Sequence, residues 1–293
     1  MKLKAMGKIN LALDVVRKRE DGYHEVRMIM QTVDLWDELE FHETKEPGIR
    51  LATNLSYLPV NENNLVFRAA SLLMNEFQIH SGLEIRLHKR IPVAAGMAGG
   101  SSDAAAALVG VNRMFRLGLT RKELMSRAVG LGADVPYCVL RGTALAEGIG
   151  EILTPLPPLP RCHILIGKPP VSVSTKFVYG HLKLSEIRRH PEVDKMAEAL
   201  AAGSLEGITS RMENVLESVT VPAYPVIREI KEHMIRNGAE NALMSGSGPT
   251  VFGIFKDRGT AGEAFRELKK SGLVRQIYLT RPFGNGGYRH GKR

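Results

Sequence analysis

A glycine- and alanine-rich stretch, PVAAGMAGGSSDAAAAL at residues 92–108, constrains the fold more than any other part of this sequence. It follows LEIRLH at 83–88, where alternating apolar and polar residues predict a half-buried strand. It leads into a run of alanines, which favours a helix. Gly96, Gly99 and Gly100 permit positive φ angles and a close backbone approach. The sequence therefore predicts a strand, a tight glycine turn and a helix in succession.

The residues at the start of this predicted helix favour an anion. Ser101, Ser102 and Asp103 are residue types that commonly cap helices. Because a helix N-terminus presents free N–H groups and a partial positive charge, the turn predicts a cradle for phosphate. A serine-capped turn without a ligand is the alternative. The Walker, Rossmann and protein-kinase patterns are absent from the sequence, so the turn alone does not choose a reaction.

Signals for strands and helices alternate along the whole chain, which predicts an α+β or α/β protein. Besides 83–88, strands are predicted at 9–16, 27–34, 162–167, 242–245, 251–255 and 275–281. Helices are predicted at 66–77, from Thr120 onward, and at 174–184, 192–202, 223–237 and 260–271. Thr120 and Glu123 have the spacing of a capping box.

The stretch LTPLPPLPR at 153–161 is the clearest break in the chain. Its four prolines cannot continue a helix or a central strand. We therefore expect an N-terminal domain over 1–155 and a C-terminal domain over 156–283. Residues 284–293, which end in a basic sequence, are expected to form a disordered tail.

Composition excludes several classes of protein. Hydrophobic residues are 44% and charged residues 24%, and no uncharged apolar stretch approaches 18 residues, so we expect a globular cytoplasmic protein without a membrane span. Two cysteines support neither a disulfide framework nor a zinc site. The net charge of +9 fits a basic surface or an attraction for phosphorylated ligands or nucleic acid. Aromatic residues are only 6% and the charges are scattered, which argues against an RNA-binding protein.

Three stretches together resemble the GHMP kinase superfamily. They are AMGKINLALDV at 5–15, the glycine-rich stretch at 92–108, and LMSGSGPTVFG at 243–253. Their order and spacing match that superfamily over residues 1–283. The resemblance implies an α+β, two-domain GHMP kinase fold, with an N-terminal ribosomal-protein-S5-like ATP-binding domain and a C-terminal α/β sandwich domain.

Two further stretches narrow the resemblance. REDGYHEVRMIMQTVDLWDEL at 19–39 and LGADVPYCVLRGTALAEGIGE at 131–151 are similar to members that phosphorylate 4-diphosphocytidyl-2-C-methyl-D-erythritol on its 2-hydroxyl. Those members use ATP in the non-mevalonate route to isoprenoid precursors. A GHMP kinase for another alcohol, of the mevalonate or homoserine type, is the alternative. The sequence DGYH argues against it, because such kinases have no cytosine to hold.

The resemblance also implies ligands and partners. ATP is the phosphate donor, and Mg²⁺ is inferred from the chemistry of ATP, although no acidic cluster identifies metal ligands in the sequence. The partner is a small-molecule cytidyl diphosphate substrate. We expect no nucleic acid or membrane partner, and a monomer or weak dimer.

Two residues are predicted to be catalytic. Asp134, in the sequence GADVP, is the candidate base, and a helix cap is its alternative role. Lys8 lies on an apolar predicted strand, where a lysine is costly unless it is paired or reaches water. A Lys8–Asp134 pair would keep the carboxylate ionised. Asn10 shares the Lys8 face of the strand.

The resemblance assigns the remaining candidate residues to two ligands. ATP is expected at Asn64, Lys89, Gly96, Ala98, Gly99, Gly100, Ser101, Ser102 and Asp103. The substrate is expected at Asn10, Tyr23, His24, Thr175, Tyr179, Gly246 and Ser247. Taken alone, Asn64 is more typical of a helix cap, Lys89 of a surface residue, and Gly246–Gly248 of a hairpin turn.

Two details of these sites follow from the resemblance. Cytosine is expected to stack between Tyr23 and Tyr179, with His24 reading its hydrogen-bonding edge. The family loop usually reads GLGGGSS, and here Met97 and Ala98 replace a leucine and a glycine. Because Ala98 has a Cβ, we expect its φ to be negative.

Overall fold

The computed structural model describes residues 1–284. Its strands are β1 (Lys2–Lys18), β2 (His24–Thr44), β3 (Ile49–Thr53), β4 (Gly82–His88), β5 (Thr143–Glu147), β6 (Ile152–Leu156), β7 (His163–Lys168), β8 (Glu213–Asn214), β9 (Asn241–Met244), β10 (Val251–Phe255) and β11 (Gln276–Thr280). Its helices are α1 (Leu65–Glu76), α2 (Gly99–Met114), α3 (Arg121–Ala128), α4 (Val135–Leu140), α5 (Thr175–His181), α6 (Val193–Ala201), α7 (Leu205–Thr209), α8 (Glu217–Ala223), α9 (Val226–Arg236) and α10 (Arg258–Lys270).

The strands form two sheets. The larger sheet has the order β3-β4-β2-β1-β8, with β5 pairing both β2 and β6. The smaller sheet has the order β11-β7-β10-β9, and all of its pairs are antiparallel. Helices and sheets are thus mixed along the chain, in agreement with the predicted α+β class.

Contacts group the chain into two compact units. The first unit contains Met1–Gly7, Leu35–Val93 and Ala98–Leu140. The second unit contains Lys8–Asp34, Ala94–Met97 and the chain from Arg141 onward. The sequence-based boundary at residue 155 remains a prediction, since these contact units are not continuous in sequence. Except for Gly284, the predicted tail lies outside the described residues.

The core of the first unit is built on the packing of α1 against α2. Val66, Ala69 and Leu73 recur at helical spacing on α1, and all three are fully buried. The small residues of α2 let other elements approach the helix closely. The clearest example is Gly110. A Cβ on Gly110 would overlap the ring of Phe41 on β2. Small residues therefore place α2, and with it the end of the glycine loop.

The second unit buries the smaller sheet under α9 and α10. Residues of β7 and β10 such as Ile166, Phe252 and Ile254 are fully buried. A Cβ on Gly167 would lie 3.2 Å from Leu268 of α10 and 3.3 Å from Met234 of α9. The continuous apolar runs of β7 and β10 are what a strand covered on both faces requires.

Several predicted elements agree with the structure and others needed correction. Strand 83–88 corresponds to β4, and the capping box of Thr120 and Glu123 starts α3. The strands predicted at 9–16 and 27–34 were too short, because β1 has 17 residues and β2 has 21. Charged residues near the ends of each strand interrupt the apolar pattern, so the pattern did not predict the extensions. Pro155 lies inside β6, which is tolerated because β6 pairs only with β5.

Candidate active site

The glycine loop between β4 and α2 alternates left-handed residues with others. Ala94, Gly96 and Ala98 have φ angles of 50°, 74° and 54°. Such alternation turns successive backbone N–H groups toward one concave side, where an anion can bind. The expectation of a negative φ at Ala98 was wrong. A Cβ makes the left-handed region costly by about 1–2 kcal/mol, but it does not forbid it.

Of the three loop glycines, only Gly96 is strictly required by the geometry. Besides its positive φ, a Cβ there would overlap the carbonyl oxygen of Ser245, whose Oγ donates to the Gly96 carbonyl at 2.9 Å. Gly99 and Gly100 have no positive φ and belong to α2. A Cβ on Gly100 would make only an ordinary contact of 3.8 Å with Leu65.

The N-terminus of α2 presents its amides without a side-chain cap. Ala98 is the N-cap residue and caps no amide. The first amides of an α-helix, here those of Gly99 to Ser101, have no acceptor within the helix. Ser102 is buried and its hydroxyl donates to the Met6 carbonyl, which favours Ser101 of the two serines as a hydroxyl donor to phosphate.

Lys89 lies in a buried cluster with two carboxylates. Its Nζ donates to Asp103 Oδ2 at 2.7 Å and to Asp37 Oδ2, and all three side chains are at most 4% exposed. Burial alone would lower the pKa of Lys89, but Asp103 and Asp37 raise it overall. Burial, with Asp37 as a second carboxylate, raises the pKa of Asp103 well above its ordinary value. Lys89 is therefore a buried, paired lysine and not a surface residue.

A tryptophan lies beside this cluster on β2. Trp36 precedes Asp37, and Lys4 Nζ lies 3.6 Å from the centroid of its ring. The guanidinium carbon of Arg90 lies 6.0 Å from the same centroid. The ring therefore has two cations within the range of a cation–π interaction.

Asn64 caps α1. Its Oδ1 accepts from Val66 N at 2.9 Å, and its Nδ2 donates to the Pro59 carbonyl at 2.8 Å. The simpler of the two roles considered for Asn64 is therefore present. Its contact with adenine remains a prediction.

Asp134 directly precedes α4 in the first unit and is half-buried. Its carbonyl accepts from Cys138 N at 3.1 Å, as expected for a residue at a helix start. Its pairing with Lys8, which belongs to the second unit, remains a prediction.

Lys8 is buried in the second unit at 4% exposure. Its Nζ donates to Asn10 Oδ1 at 2.7 Å, so the two residues interact as their shared strand face predicts. A Cβ on Gly246 would lie 3.5 Å from Lys8 Nζ, which places that ammonium next to the turn after β9. Lys8 N also donates to the Met97 carbonyl at 3.1 Å.

The turn between β9 and β10 is a hairpin that also carries candidate substrate residues. Ser245 N donates to the Thr250 carbonyl at 2.9 Å, and Gly246 and Gly248 have φ angles of 58° and 85°. Asn214 holds the turn, because its Nδ2 donates to the carbonyls of Met244 and Gly246, each at 2.8 Å. The hairpin alternative is thus correct, and it places Gly246 beside the Lys8 ammonium.

The predicted cytosine residues lie near the start of β2 and on α5. The rings of His24 and Tyr179 have centroids 5.0 Å apart at an interplanar angle of 42°. Thr175 opens α5, and its Oγ1 lies 2.8 Å from Ser247 Oγ. Tyr23 lies in the turn before β2 with 59% of its surface exposed. Burial, with a smaller effect of Lys18, lowers the pKa of His24.

Two family models match the chain. The model for the GHMP kinases N terminal domain matches residues 64–142, and the model for the GHMP kinases C terminal matches residues 196–273. The chain belongs to the GHMP kinase family. This GHMP kinase has the two-domain α+β fold that its motifs predicted.

Named relatives match this GHMP kinase over nearly its whole length. A 4-diphosphocytidyl-2-C-methyl-D-erythritol kinase of Lachnospira eligens is 56% identical over 97% of this chain and 98% of the relative. The enzyme of the same name from Lachnoclostridium phytofermentans is 57% identical over 96% of this chain and 97% of the relative.

Solved structures agree with this assignment. A crystal structure of 4-(cytidine 5'-diphospho)-2C-methyl-D-erythritol kinase is 32% identical with a TM-score of 0.83, over 97% of this chain and all of that chain. A homoserine kinase from Cytophaga hutchinsonii has a TM-score of 0.74 at 20% identity, over 94% of each chain. The second likeness shows the fold alone.

Membership in this family makes the chain an ATP-dependent kinase that acts on a small molecule. None of the helices within residues 1–284 is long and apolar enough to cross a membrane. The same residues contain no group of three or more His, Cys, Asp or Glu side chains that could hold a metal ion.

Sequence reasoning missed two residues that hold these loops, Asp37 and Asn214. Asp37 occupies an inward position between buried Leu35 and Leu39 on β2. A charged residue in such an apolar alternation requires a partner, and that signal was present in the sequence. Asn214 gives no comparable signal.

Proposed function

We propose that this GHMP kinase transfers the γ-phosphoryl group of ATP to the 2-hydroxyl of 4-diphosphocytidyl-2-C-methyl-D-erythritol, a step of the non-mevalonate route to isoprenoid precursors. The observation that carries the proposal is the similarity to kinases named for this substrate, at 56% identity over 97% of the chain. The geometry of the glycine loop, the Lys8 region and the His24–Tyr179 contact supports it.

The glycine loop is the proposed phosphate site. Phosphoryl transfer depends mainly on positioning and on neutralising charge. The alternating left-handed residues 94, 96 and 98 and the first amides of α2 supply backbone donors for the α- and β-phosphates. These donors are fixed before ATP binds, so little reorganisation accompanies the transfer.

Asp134 is the proposed base. The substrate hydroxyl oxygen forms a bond to the γ-phosphorus, the bond from that phosphorus to the ADP oxygen breaks, and the hydroxyl proton passes to the Asp134 carboxylate. Lys8, held by Asn10, is the proposed cation that stabilises the developing alkoxide. The burial of Lys8 strengthens this effect, because a low local dielectric increases electrostatic interactions.

His24 and Tyr179 are proposed to recognise cytosine. The lowered pKa of His24 favours its neutral form at pH 7, in which one ring nitrogen donates and the other accepts. The edge of cytosine likewise offers a donor beside an acceptor. The exposed Tyr23 ring is proposed as the second stacking surface, as the motif DGYH suggested.

Mg²⁺ is proposed to enter with ATP. This ion typically binds through one or two carboxylates together with substrate phosphates and waters, so it needs no dedicated cluster of ligands. We also propose a cytoplasmic location, a monomer or weak dimer, and no nucleic acid partner. Cys138 and Cys162 are buried and form no disulfide within the described residues, which suits a reducing compartment.

The first experiment incubates the protein with labelled ATP and separate acceptors: 4-diphosphocytidyl-2-C-methyl-D-erythritol, mevalonate and homoserine. We expect phosphate to appear on the cytidyl compound. Asp134→Asn and Lys8→Ala should each lower turnover at least about 100-fold while ATP binding persists. Transfer to mevalonate or homoserine alone would overturn the proposed substrate, and near-normal turnover of Asp134→Asn would overturn its role as base.

The second experiment compares thermal stabilisation by cytidine diphosphate and uridine diphosphate. We expect the cytidine ligand to stabilise the wild type more. Tyr179→Ala should weaken both ligands, since stacking contributes about 1–3 kcal/mol for any base. His24→Ala should reduce the preference for cytidine. An equal response of the wild type to both nucleotides would contradict recognition of cytosine.

A further inference from the structure

One group of buried charges holds both ends of the glycine loop. Arg90 N and Ile91 N donate to Asp37 Oδ1 at 2.5 Å and 2.8 Å. The other oxygen of Asp37 accepts from Lys89 Nζ, and the same ammonium donates to Asp103 Oδ2 at 2.7 Å. Because Asp103 lies near the start of α2, the group ties the residues before the loop to the helix after it.

The loop between these ends is strained. Ala94 and Ala98 lie in the left-handed region, at a cost of about 1–2 kcal/mol each for a residue with a Cβ. Such residues persist only where the surrounding structure over-determines their conformation. The same conformation turns the backbone N–H groups toward one side, so relaxation of the loop would disperse the donors that an anion needs.

The two carboxylates of the group are not equivalent. Asp37 accepts from three donors and uses both of its oxygens. Asp103 accepts only from Lys89, and its Oδ1 has no hydrogen-bond partner within the described part of the chain. Two carboxyl groups share one ammonium, and burial, with Asp37 as neighbour, raises the pKa of Asp103 well above its ordinary value. Asp37 is therefore the carboxyl group that binds the residues before the loop, and Asp103 is the second carboxyl group of the cluster.

We propose that Asp37 is a positioning residue for nucleotide binding. It holds residues 89–91 directly and α2 through Lys89, and in this way it keeps the loop amides in the geometry that phosphate requires. The proposal rests on the proposed function for the identity of the ligand, ATP. It also assigns Lys89 and Asp103 to this internal pairing, in place of the contacts with ATP that the resemblance implied for both residues.

The test measures binding of a non-hydrolysable ATP analogue by calorimetry, together with KM for ATP and for the alcohol. Asp37→Asn should weaken the analogue and raise KM for ATP at least about 10-fold, with kcat and KM for the alcohol within about 3-fold. Asp103→Asn should bind the analogue within about 3-fold of wild type. It keeps an oxygen for Lys89 and puts an amide N–H at the unpaired position. A purely structural role for Asp37 would lower the melting temperature and leave both KM values unchanged.

Glu38→Gln is the matched control. Glu38 follows Asp37 on β2 and carries the same charge, but it pairs with Lys2 at 3.2 Å on the surface. This variant should bind the analogue as wild type does. Equal losses in Asp37→Asn and Asp103→Asn would overturn the proposal, because the net charge of the cluster would then be the cause.

The outcomes separate this proposal from the proposed function. If wild type binds no nucleotide, the proposed function fails first. If wild type binds the analogue and Asp37→Asn binds it equally well, only the role of Asp37 fails.

If Asp37→Asn does not fold, a second variant, Asn54→Ala, tests the same proposal. The Asn54 side chain forms two hydrogen bonds with the backbone of Lys89. Its Oδ1 accepts from Lys89 N at 2.8 Å, and its Nδ2 donates to the Lys89 carbonyl at 3.2 Å. Its removal loosens the same end of the loop without changing a charge. Analogue binding should weaken at least about 5-fold, whereas an affinity within about 3-fold of wild type would overturn the proposal.

Discussion

Two loops of this kinase use left-handed backbone, and they are held by different chemistry. The glycine loop places alanines at two of its three positive-φ positions, and the side chains of Asp37 and Lys89 hold its ends. The turn after β9 places glycines at its positive-φ positions, and the neutral side chain of Asn214 holds it through two carbonyls. The first loop thus combines left-handed alanines with a charged clamp, whereas the second combines left-handed glycines with a neutral clamp.

The difference follows from what each loop is proposed to bind. A triphosphate is held by several amides at once, so the loop must keep many N–H groups fixed together. Charge-assisted hydrogen bonds are about twice as strong as neutral ones and suit that demand. An alcohol near Gly246 needs only one or two contacts. A relaxed glycine turn on neutral hydrogen bonds is then sufficient.

Replacing the glycine where the loops meet should have the largest effect. Gly96→Ala places a Cβ on the Ser245 carbonyl at a positive φ, so both loops must shift. We expect the free energy of unfolding to fall by at least about 3 kcal/mol and ATP binding to be lost. Gly100→Ala is the control: the same change within α2 makes only an ordinary contact with Leu65 and should be neutral or stabilising by up to about 1 kcal/mol. Denaturant unfolding measures the free energy of unfolding, and calorimetry measures ATP binding. Equal effects of Gly96→Ala and Gly100→Ala would contradict a special requirement for glycine at residue 96.

The second-largest effect is expected from removing Asn214, the neutral side chain that holds the turn after β9. Asn214→Ala leaves the carbonyls of Met244 and Gly246, and the N–H of Leu216, without their partner. Buried unpaired polar groups predict a loss of about 2–3 kcal/mol in unfolding free energy. KM for the alcohol should rise more than KM for ATP. A rise confined to ATP would show that the two loops do not serve separate ligands.

Replacing Asp103, the second carboxyl group of the cluster, should have a smaller effect of opposite sign. Because the pKa of Asp103 is raised above its ordinary 3.8, the native state binds this proton more tightly than the unfolded chain does. The contribution of Asp103 to stability is therefore present at acid pH and is lost as pH rises. Asp103→Asn should remove that pH dependence and stabilise the protein by about 1 kcal/mol at neutral pH. Thermal melts from acid to neutral pH measure both quantities, and a destabilised variant at neutral pH would contradict the expectation.

The smallest effect is expected from a change that relieves the left-handed backbone strain at Ala98. Ala98→Gly removes a left-handed penalty of about 1–2 kcal/mol but adds about 0.5–1 kcal/mol of unfolded-state entropy, so a net gain of about 0.5 kcal/mol is expected. Ala104→Gly makes the same change inside α2, where it should cost about 1 kcal/mol. Chemical denaturation of the two variants compares the signs. A loss at Ala98 as large as that at Ala104 would mean that Ala98 carries no strain.

Local patterns predicted most of the elements because those elements depend on local chemistry. The spacing of Thr120 and Glu123 predicts the start of α3, and the alternation at 83–88 predicts β4. The phosphate cradle was predicted from glycines that precede a helix, and Gly96 has the positive φ that this requires. Its three-dimensional form depends on contacts distant in sequence, which no local pattern contains.

Two failures of prediction have physical causes. Ala98 was given a negative φ because its Cβ disfavours the alternative, yet its φ is 54°, which we propose the hydrogen bonds of residues 90 and 91 to Asp37 maintain. The pairing of the Lys89 ammonium with carboxylates 52 and 14 residues away was not foreseen, whereas the contact of Lys89 with ATP stays a prediction. Asp37 bonds Lys89 directly, and its place between Leu35 and Leu39 was a signal in the sequence that was not used.

The position of Trp36 gives this kinase an optical property. It is the single tryptophan of the chain, so all indole emission from the protein comes from one ring, on the residue that precedes Asp37. The Arg90 side chain, which lies over that ring, extends from a residue whose backbone N–H is bonded to Asp37. Emission wavelength and quenching therefore report the state of the residues that precede the glycine loop. Native fluorescence, without any label, follows the loop in real time.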